Sequence, residues 1–401
     1  MTRLIKAKMR HWLAKSLANP RQGYSRPLPL TADVWSVTVL KLDGIGDFVL
    51  STAALNALRD AFPSASFTLI VRVPVAEIAR QQFENWDVVE LPARESALRN
   101  IVAQPGVRRR LAALPIADLL VDLRAYRDYS DTVVASWVPA RYRVGVCNAF
   151  PDSFNGIRFP KEEYVYDELA PREPPQHGEC FDIAGQRALM NHVLRRVVQL
   201  RPRLSVPGAA CRFSRNTLHR RFGISGGDPY VLVFPGTSSP IKEIPASQLA
   251  QGILGGLESV GLIPIVVGGS VADARTTIPL IAELSRCRPV HDASGLFSLA
   301  QNVGLIAGAR MLVGMDSCHI HMAGALSVPA VGILGGGQFG DFAPWGESDL
   351  FRWVSHRTEC YGCHWICPYS KAICLHSIPP GTIAEAIRGV LSASADLRHD
   401  R

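Results

Sequence analysis

The sequence predicts an α/β protein of two doubly wound domains, each a parallel sheet with helices on both faces. From Val34 onward, short apolar runs rich in β-branched residues alternate with helical stretches, which is typical of buried parallel strands. A chain of 401 residues also exceeds what one hydrophobic core usually serves. We therefore predict a first domain at residues 31–205 and a second at residues 206–401, facing each other across a cleft.

The predicted strands follow one another in two series. The first series is "WSVTVLKL", "SFTLIVRV", "DVVELP", "DLLVDLR" and "RYRVGV", followed by a long loop over residues 151–175 and a helix from about Gly178 to Val198. The second series is "YVLVFPG", "LIPIVVGG", "ARMLVGMDS" and "VPAVGILGGG". Each member of the second series ends in glycine or polar residues, where open α/β sheets bind their ligands.

Composition and charge favour a globular protein and argue against a membrane-spanning or nucleic-acid-binding one. The chain is 47% apolar and 19% charged, as in an ordinary globular protein. It has no apolar run of about 18 residues and no secretory signal, so we expect a cytoplasmic location. No basic stripe interleaved with aromatic residues follows the N-terminal region, which argues against nucleic-acid binding.

The N-terminal segment, residues 1–30, is basic, and no acidic residue occurs before Asp33. Within it, "LIKAKMRHWLAKSL" carries apolar residues at helical spacing. A basic amphipathic helix of this kind can lie on an anionic membrane surface. The alternatives are a first helix packed on the body of the protein and a basic tail.

The first motif is "LDGIGDFVLSTAAL", in which a strand ends in a glycine turn before a helix from about Phe48. Gly44 and Gly46 are predicted to permit a tight turn and the close approach of a ligand. Asp47 falls at or near the N-cap of the helix. By itself it is either a capping residue or a carboxylate that faces a ligand.

The second motif is "FPGTSSPIKEIP", which follows a predicted strand. Backbone N–H groups, Thr237 and Ser238 are predicted to hold phosphate oxygens, and Lys242 is predicted to neutralise their charge. The spacing does not match a P-loop, so nucleotide hydrolysis is not implied. The alternative for Lys242 is a solvated surface lysine.

The third motif is "LVGMDSCHIHMAGALSVPAVGILGGG". Asp316 and Ser317 are predicted to cap a helix that runs through Met322 and points its free N–H groups at a ligand. His319 and His321 lie in its first turns, where a histidine is either a packed residue or a functional one. A glycine-rich loop, "GGGQFGDFAPWG", follows the next strand.

Taken in order, these motifs and "DLLVDLRAYRDYSDTVVASWVPARYRVGV" resemble glycosyltransferase family 9, the bacterial heptosyltransferase family of lipopolysaccharide assembly. The resemblance runs from about Val37 to Ile387. It implies a GT-B fold whose C-terminal domain holds most of a nucleotide-sugar donor. It also implies an inverting, metal-independent transfer of a sugar to a lipopolysaccharide or other surface-glycan acceptor at the inner membrane face.

The resemblance also implies roles for individual residues. Asp47 matches the general base that deprotonates the acceptor hydroxyl, and Lys242 matches the cation that stabilises the leaving diphosphate. Asp316, Ser317 and His321 match donor-binding positions, with His321 beside the diphosphate. The residues assigned here to donor binding are Gly46, Thr237, Ser238, Asp316, Ser317, His321 and Gly336.

Two departures from the family pattern leave the donor open. Cys318 stands where many members have glycine, and "GGGQFGDF" is longer than the usual loop. The donor is therefore ADP-heptose or another nucleoside-diphosphate sugar. An alternative function on the same fold is a nucleotide-sugar-binding or scaffold protein without catalysis.

A cysteine-rich segment, "CYGCHWICPYSKAIC", holds Cys360, Cys363, Cys367 and Cys374. Such a segment looks like a feature of one branch of family 9. Four thiols can hold a structural zinc ion or an iron–sulfur cluster, although the spacing fits neither common template. The alternatives for these cysteines are reduced packing thiols and redox-active or disulfide-bonded cysteines. Beside a glycosyltransferase and a binding scaffold, a third possible function is that of a zinc or iron–sulfur protein whose metal cluster is the active centre. A catalytic metal is not expected, because four thiolates leave no open position.

Overall fold

The computed structural model describes residues 33–92, 105–125, 127, 129–147, 165–258, 260 and 264–399. The chain forms two compact units, of which the first runs to Gln176 and also includes Phe181–Leu200. The second unit comprises His177–Cys180 and the chain from Arg201 onward. The basic segment of residues 1–30 lies outside the described residues, and the domain limits drawn at residues 205 and 206 stay predictions.

The first unit is a six-stranded parallel sheet with helices between its strands. Its elements are β1 (Ser36–Lys41), α1 (Ile45–Ala61), β2 (Ser66–Arg72), α2 (Val73–Gln82), β3 (Asp87–Leu91), α3 (Pro105–Ala112), β4 (Ala117–Asp122), α4 (Tyr129–Trp137), β5 (Ala140–Val146), β6 (Glu168–Ala170) and α5 (Phe181–Leu194). Strand β1 lies between β2 and β4, so that Leu40 is beside Ile70 on one side and Asp122 on the other.

The second unit is also a six-stranded parallel sheet. Its elements are α6 (Gly208–Phe222), β7 (Val231–Phe234), α7 (Ala246–Gly256), β8 (Ile265–Val267), α8 (Ala274–Leu284), β9 (Val290–Asp292), α9 (Leu299–Ala307), β10 (Met311–Met315), α10 (Cys318–Ala325), β11 (Ala330–Ile333), β12 (Phe351–Val354), α11 (Ile373–His376) and α12 (Pro380–His399). Single turns of 3-10 helix cover Pro240–Lys242, Val271–Asp273 and Gly336–Gln338.

The two sheets have the same topology. The strand order is β3-β2-β1-β4-β5-β6 in the first and β9-β8-β7-β10-β11-β12 in the second. In both, the order reverses between the first and fourth strands of the sheet, which is where doubly wound folds bind ligands at the carboxyl edge. The predicted α/β class with two doubly wound units is confirmed.

Three strands, β6, β9 and β12, differ from the prediction. β6 lies inside the stretch predicted as a long loop, and β9 and β12 fall where no strand was predicted. Each is only three or four residues long and forms one edge of its sheet. Their sequences, ELA, VHD and FRWV, mix polar with apolar residues and show too little of the apolar pattern to be recognised, whereas the equally short β8 is the wholly apolar IVV.

The strands are buried because their side chains fill a core on each side of the sheet. In β1, Val39 and Leu40 are both fully buried, and in β10 Leu312 and Val313 are fully buried too. Such continuous apolar strands suit a parallel sheet covered on both faces. Within the part of the chain that the structure describes, no helix is long and apolar enough to cross a membrane.

Candidate functional site

Asp47 lies in the first turn of α1, at the carboxyl end of β1. The helix begins three residues earlier than predicted, so the N-cap is Gly44, and Asp47 occupies the third helical position. Its Oδ2 accepts a hydrogen bond from the Gly44 N–H at 2.8 Å. The side chain is half-buried. The carboxylate therefore caps α1 from inside the helix, which agrees with the prediction that Asp47 lies at or near the N-cap.

Gly44 has a structural role that was not predicted, and the predicted approach of a ligand to Gly44 and Gly46 stays a prediction. Gly44 has an ordinary φ of −77°, and Gly46 is the second residue of the helix, so neither is required by a left-handed turn. A Cβ atom on Gly44 would lie 2.9 Å from Asp47 Oδ2. Gly44 thus makes room for the Asp47 carboxylate to reach the backbone.

Beneath this turn, Lys41 is completely buried at the end of β1. Its Nζ lies 2.9 Å from Asp43 Oδ2 and 3.8 Å from Asp182 Oδ2 on α5. Burial lowers the pKa of Lys41, but the charges of Asp182, Asp43 and Asp47 outweigh it and raise the pKa overall. Lys41 is therefore charged at any physiological pH.

The carboxyl of Asp182 has a higher pKa than an ordinary surface aspartate. Burial raises its pKa to about 7, although the Lys41 charge lowers it. Its Oδ2 also accepts a hydrogen bond from Gln186 at 2.7 Å, and that amide in turn donates to Ser51 on α1 at 3.0 Å. This network connects α5 to α1 directly behind Asp47.

The neighbouring strand β4 adds a cation at the same edge. Arg124 Nη1 lies 2.6 Å from Asp131 Oδ2, and its Nε lies 3.9 Å from Asp43 Oδ2. The ends of β1 and β4, which flank the reversal of strand order, are therefore joined by ion pairs. In the first unit, this edge is a cluster of buried and half-buried charges around Asp47.

In the second unit, the loop after β7 carries Thr237, Ser238 and Lys242. Ser238 is exposed, and Thr237 and Lys242 are half-buried. Thr237 Oγ1 donates to the Ser239 carbonyl at 2.8 Å, which tightens the loop. Lys242 Nζ donates to Gln338 Oε1 at 3.2 Å and lies 5.0 Å from the ring centre of Trp365.

Asp316 and Ser317 follow β10, the strand beside β7. Ser317 is the N-cap of α10, but its hydroxyl makes no capping bond and has no hydrogen-bond partner among the described residues. The predicted capping role of its side chain is therefore not seen. Helix α10 runs through Ala325, three residues beyond the predicted end. Its first N–H groups lie at the reversal of strand order, where they can meet an anion.

His321 is buried and lies beside Asp316. Its Nδ1 accepts a hydrogen bond from the indole N–H of Trp345 at 2.8 Å. Because an indole can only donate, Nδ1 is unprotonated and the proton of the neutral ring sits on Nε2. That Nε2 lies 3.4 Å from Asp316 Oδ1. Both ring nitrogens thus face protein groups, and a direct contact of His321 with the donor stays a prediction.

His319 packs on the core side of the same helix. Its ring stacks on Phe234 with 3.7 Å between centroids and an interplanar angle of 2°. Burial lowers the pKa of His319 to about 4, so the ring is neutral at physiological pH. Burial also raises the pKa of the neighbouring Cys318 thiol to about 12, which keeps it protonated and unreactive.

The glycine-rich loop after β11 is covered by the cysteine-rich segment, residues 360–374. A Cβ atom on Gly336 would lie 2.3 Å from the ring of Tyr361, and Cβ atoms on Gly335 and Gly337 would lie 2.5 and 2.4 Å from the ring of Trp365. Side chains at these three positions would displace both rings. The glycine run therefore accommodates the cysteine-rich segment.

Backbone hydrogen bonds fix this cover in place. The Gly336 N–H donates to Cys374 Sγ at 3.3 Å, and the Gly336 carbonyl accepts from the Gly362 N–H at 2.8 Å. The His364 N–H donates to the Gly337 carbonyl at 2.7 Å. Both polar backbone groups of Gly336 are thus bonded to the segment, and its predicted part in donor binding stays untested.

The four cysteines of the segment lie near one another without converging. Burial raises the pKa of the Cys374 thiol, and electrostatic interactions with Cys360, Cys363 and Cys367 raise it further, so these three thiols lie near Cys374. In the described part of the chain, no three His, Cys, Asp or Glu side chains form a group that could hold a metal ion. Metal binding at these thiols therefore stays a prediction.

Several residues that build the two sites were not predicted from the sequence. They are Lys41, Asp182, Arg124 and Asp131 in the first unit, and Gln338, Trp345 and Trp365 in the second. A lysine inside an apolar strand, as in "VTVLKLD", was the available signal for the first group. The second group had no signal, because its members act through contacts far apart in sequence.

Comparison with known proteins shows what the chain is similar to. The sequence model described as glycosyltransferase family 9 (heptosyltransferase) matches residues 191–371. A curated relative, lipopolysaccharide heptosyltransferase 3 of Escherichia coli, is 23% identical over 156 residues. Those residues are 39% of this chain and 45% of that protein, so the alignment spans less than half of the relative.

Solved structures share the fold over nine-tenths of the chain. A glycosyltransferase of family 9 from Veillonella parvula aligns with a TM-score of 0.67 and 16% identity, over 91% of this chain and 99% of that one. E. coli ADP-heptose lipopolysaccharide heptosyltransferase II aligns with a TM-score of 0.62 and 18% identity, over 91% and 100%. The iron-containing dodecameric heptosyltransferase TibC of E. coli, in complex with ADP-D-β-D-heptose, aligns with a TM-score of 0.53 and 14% identity, over 93% of this chain and 81% of that one. With its two Rossmann-like units of the GT-B class, the chain is similar to the heptosyltransferases of glycosyltransferase family 9, whose sequence model matches residues 191–371, a little less than half of its length.

Proposed function

We propose that this chain is an inverting glycosyltransferase that moves a heptose or related sugar from a nucleoside-diphosphate donor to a lipopolysaccharide or other surface-glycan acceptor. The observation that carries the proposal is the grouping of Lys242, Thr237 and Ser238 after β7 with the start of α10 after the adjacent strand β10. A cation, hydroxyls and free helix N–H groups at one sheet edge suit a diphosphate. The match of residues 191–371 to the family 9 sequence model supports the chemistry of sugar transfer.

On the acceptor side, Asp47 is the proposed general base. The acceptor oxygen attacks the anomeric carbon from the face opposite the leaving group, which inverts the configuration. Its proton passes to the Asp47 carboxylate as the new carbon–oxygen bond forms. The Gly44 N–H bond to Oδ2 fixes the orientation of the carboxylate on α1.

On the donor side, the bond between the anomeric carbon and the diphosphate oxygen breaks, and its electron pair leaves with the diphosphate. Lys242 is proposed to stabilise the negative charge that develops there, with the N–H groups of α10. Gly46, Thr237, Ser238, Ser317 and Gly336 complete the proposed donor set. Asp316, which lies beside His321, suits ribose or sugar hydroxyls better than phosphate, because like charges repel.

ADP-heptose is the first donor to test, because heptosyltransferase II is named for it and TibC binds it. Another nucleoside-diphosphate sugar is the alternative. Catalysis is proposed to need no metal. The acceptor places the enzyme on the cytoplasmic face of the inner membrane, and residues 1–30 are the segment proposed to contact it. Sedimentation with anionic vesicles, compared between the full chain and a chain beginning at residue 31, checks that contact.

A donor screen tests the proposed function. At 100 times its dissociation constant, the true donor should stabilise the chain by about 2.7 kcal/mol, a shift visible in thermal unfolding with ADP-, GDP-, UDP- and dTDP-sugars. Lys242→Met should lower kcat/KM for that donor by about 10²–10³-fold, as expected for loss of one group that stabilises the leaving charge.

Arg286→Met is the matched control for Lys242→Met, since Arg286 is an exposed cation paired with Glu283 on α8. It should leave transfer unchanged. Donor binding without any transfer to lipopolysaccharide acceptors would favour the alternative, a nucleotide-sugar-binding scaffold. Absence of any nucleotide-sugar binding would contradict both functions.

We further propose that Cys360, Cys363, Cys367 and Cys374 hold a structural metal ion. Four cysteines within one short segment, three of which act electrostatically on Cys374, are a suitable donor set for zinc or iron, although in the described residues their side chains form no group that could hold a metal ion. The iron-containing TibC supports metal binding in this family. The ion would hold the segment folded and take no part in transfer.

Elemental analysis of the purified chain should find about one zinc or iron per chain, as expected for one four-thiolate site. Cys363→Ser should lose that metal, whereas Cys287→Ser, at an exposed cysteine outside the segment, should retain it. Metal-free protein with full activity and unchanged stability would support the alternative of reduced packing thiols. Activity that depends on metal in the assay would indicate a catalytic centre instead.

A further inference from the structure

The cysteine-rich segment brings an aromatic ring to the lysine of the donor site. Trp365 lies over Gly335 and Gly337, and its ring centre is 5.0 Å from Lys242 Nζ. That separation is within the range of a cation–π interaction. The segment and the loop after β7 are far apart in sequence, and this contact joins them at the carboxyl edge of the second sheet.

The backbone of the segment is strained where it presents this ring. His364 has φ +48° and Trp365 has φ +60°, so two successive residues other than glycine are left-handed. Such conformations are unfavourable for bulky side chains and persist only when surrounding contacts impose them. The His364 N–H bond to the Gly337 carbonyl is one of those contacts.

Gln338 connects the ring to the lysine. Its Oε1 accepts a hydrogen bond from Lys242 Nζ at 3.2 Å and another from Trp365 Nε1 at 3.0 Å. Ammonium and indole groups can only donate, so the Gln338 atom that faces both must be its oxygen. The amide orientation is therefore fixed by its two partners.

The partners of Lys242 hold it without cancelling its charge. An aromatic face and an amide oxygen are both neutral, whereas a carboxylate would neutralise the ammonium. In the residues that the structure describes, no carboxylate lies within 4.0 Å of Lys242 Nζ. A flexible lysine held in this way is oriented in advance and keeps its full charge for an anion.

We propose that Trp365 and Gln338 are positioning residues for Lys242, and that the cysteine-rich segment thereby forms part of the donor site. The inference rests on the proposed function, because it takes the anion at Lys242 to be the donor diphosphate. It adds that the segment acts on transfer through these two side chains, whether or not the thiols hold a metal.

A double-mutant cycle tests this inference. Trp365→Leu should lower kcat/KM for the donor by about 5–30-fold, within the range of a cation–π contact that is partly shielded from water. In a Lys242→Met background, the same change should cost less than about twofold, because the group that Trp365 positions is gone. A purely structural role of Trp365 would lower activity equally in both backgrounds, and that result would overturn the proposal.

Gln338→Glu and Gln338→Met provide a second test that does not remove the ring. The first variant introduces a carboxylate beside Lys242, so Gln338→Glu should weaken donor binding more than Gln338→Met does. Equal effects of the two variants, or none, would contradict the inference. Tyr361→Leu is the matched control, since it removes the ring over Gly336 and should cost less than Trp365→Leu.

The outcomes separate the inference from the proposed function. Binding of the nucleotide-sugar to the wild-type full chain is measured first, by calorimetry. If no nucleotide-sugar binds to the wild type, the proposed function is wrong. That result does not depend on the Trp365 and Gln338 variants. If the wild type binds and transfers but Trp365→Leu and Gln338→Glu match it within twofold, the proposed function stands and the positioning role is wrong.

Discussion

Asp47→Asn is expected to lower the rate of sugar transfer by about 10²–10⁴-fold, the usual contribution of a general base. The amide cannot accept the proton of the acceptor hydroxyl as it attacks. Donor affinity should stay within about twofold, because the proposed diphosphate contacts lie in the second unit and involve Lys242 and the start of α10. The measurements are single-turnover transfer and calorimetric donor binding.

Asparagine is the informative substitution at this position because it preserves the helix cap. The carbonyl oxygen of its amide can still accept the Gly44 N–H bond that Asp47 Oδ2 makes at 2.8 Å. Asp47→Ala would also lose that bond, at a cost of about 1 kcal/mol to the stability of α1. Equal thermal stability of Asp47→Asn and wild type would therefore show that its lost activity reflects the missing carboxylate.

Asp60→Asn supplies the control on the same helix. Asp60 lies near the C-terminal end of α1, where it is exposed and pairs with Arg59. Its loss should leave transfer unchanged, since exposed ion pairs contribute little. If Asp47→Asn turns over as fast as wild type, Asp47 is not the general base. The next candidate is then Asp43, the neighbouring carboxylate beside Lys41 and Arg124.

The fold could be predicted from the sequence wherever a strand has a mostly apolar, buried centre. Residues of β1, β2, β4 and β10 form continuous buried runs, and all four strands were predicted. The strands β6, β9 and β12 were not predicted, because their own sequences show no hydrophobic periodicity. Pairing with a neighbouring strand stabilises them instead. The family resemblance added the GT-B class, which the pattern alone does not specify.

The candidate site shows a different limit. The sequence identified Lys242 and Asp316 as residues at strand ends, and the structure places both at the carboxyl edge of neighbouring strands. It suggested that the glycine run was open to a ligand, whereas two aromatic rings from about 25 residues later occupy that space. A glycine in the sequence indicates that another group needs the space of a side chain. Only the tertiary structure shows which group fills that space.

Lys41→Met is expected to destabilise the first unit by about 3–5 kcal/mol, because it leaves buried carboxylates without their cation. Lys41 Nζ is within 2.9 Å of Asp43 and 3.8 Å of Asp182, and its side chain has no exposed surface. Methionine fills a similar volume, so the loss should reflect charge and not a cavity. Denaturant unfolding, with hydrogen–deuterium exchange of α1 and β1, measures the effect in the first unit alone.

Two companion variants separate this charge effect from a general defect. Arg59→Met, at an exposed cation on α1, should change stability by less than about 1 kcal/mol. The double variant Lys41→Met, Asp182→Asn should recover part of the loss, because it removes one of the carboxylates left unpaired. No recovery in the double variant would mean that Lys41 and Asp182 are not coupled.

The pH dependence of the loss provides the strictest test. Burial raises the pKa of Asp182 to about 7 despite the lowering effect of Lys41, so removing Lys41 should raise it further. A carboxyl whose folded pKa exceeds its unfolded value of about 3.9 favours folding at low pH and loses that contribution as pH rises through the folded pKa. In Lys41→Met, the folded protein therefore keeps Asp182 protonated to a higher pH. The free-energy deficit relative to wild type should be smallest near pH 5, where a neutral Asp182 needs no cation, and should grow toward pH 8. A deficit that is independent of pH, or one that shrinks as pH rises, would show that the buried carboxylates do not depend on Lys41.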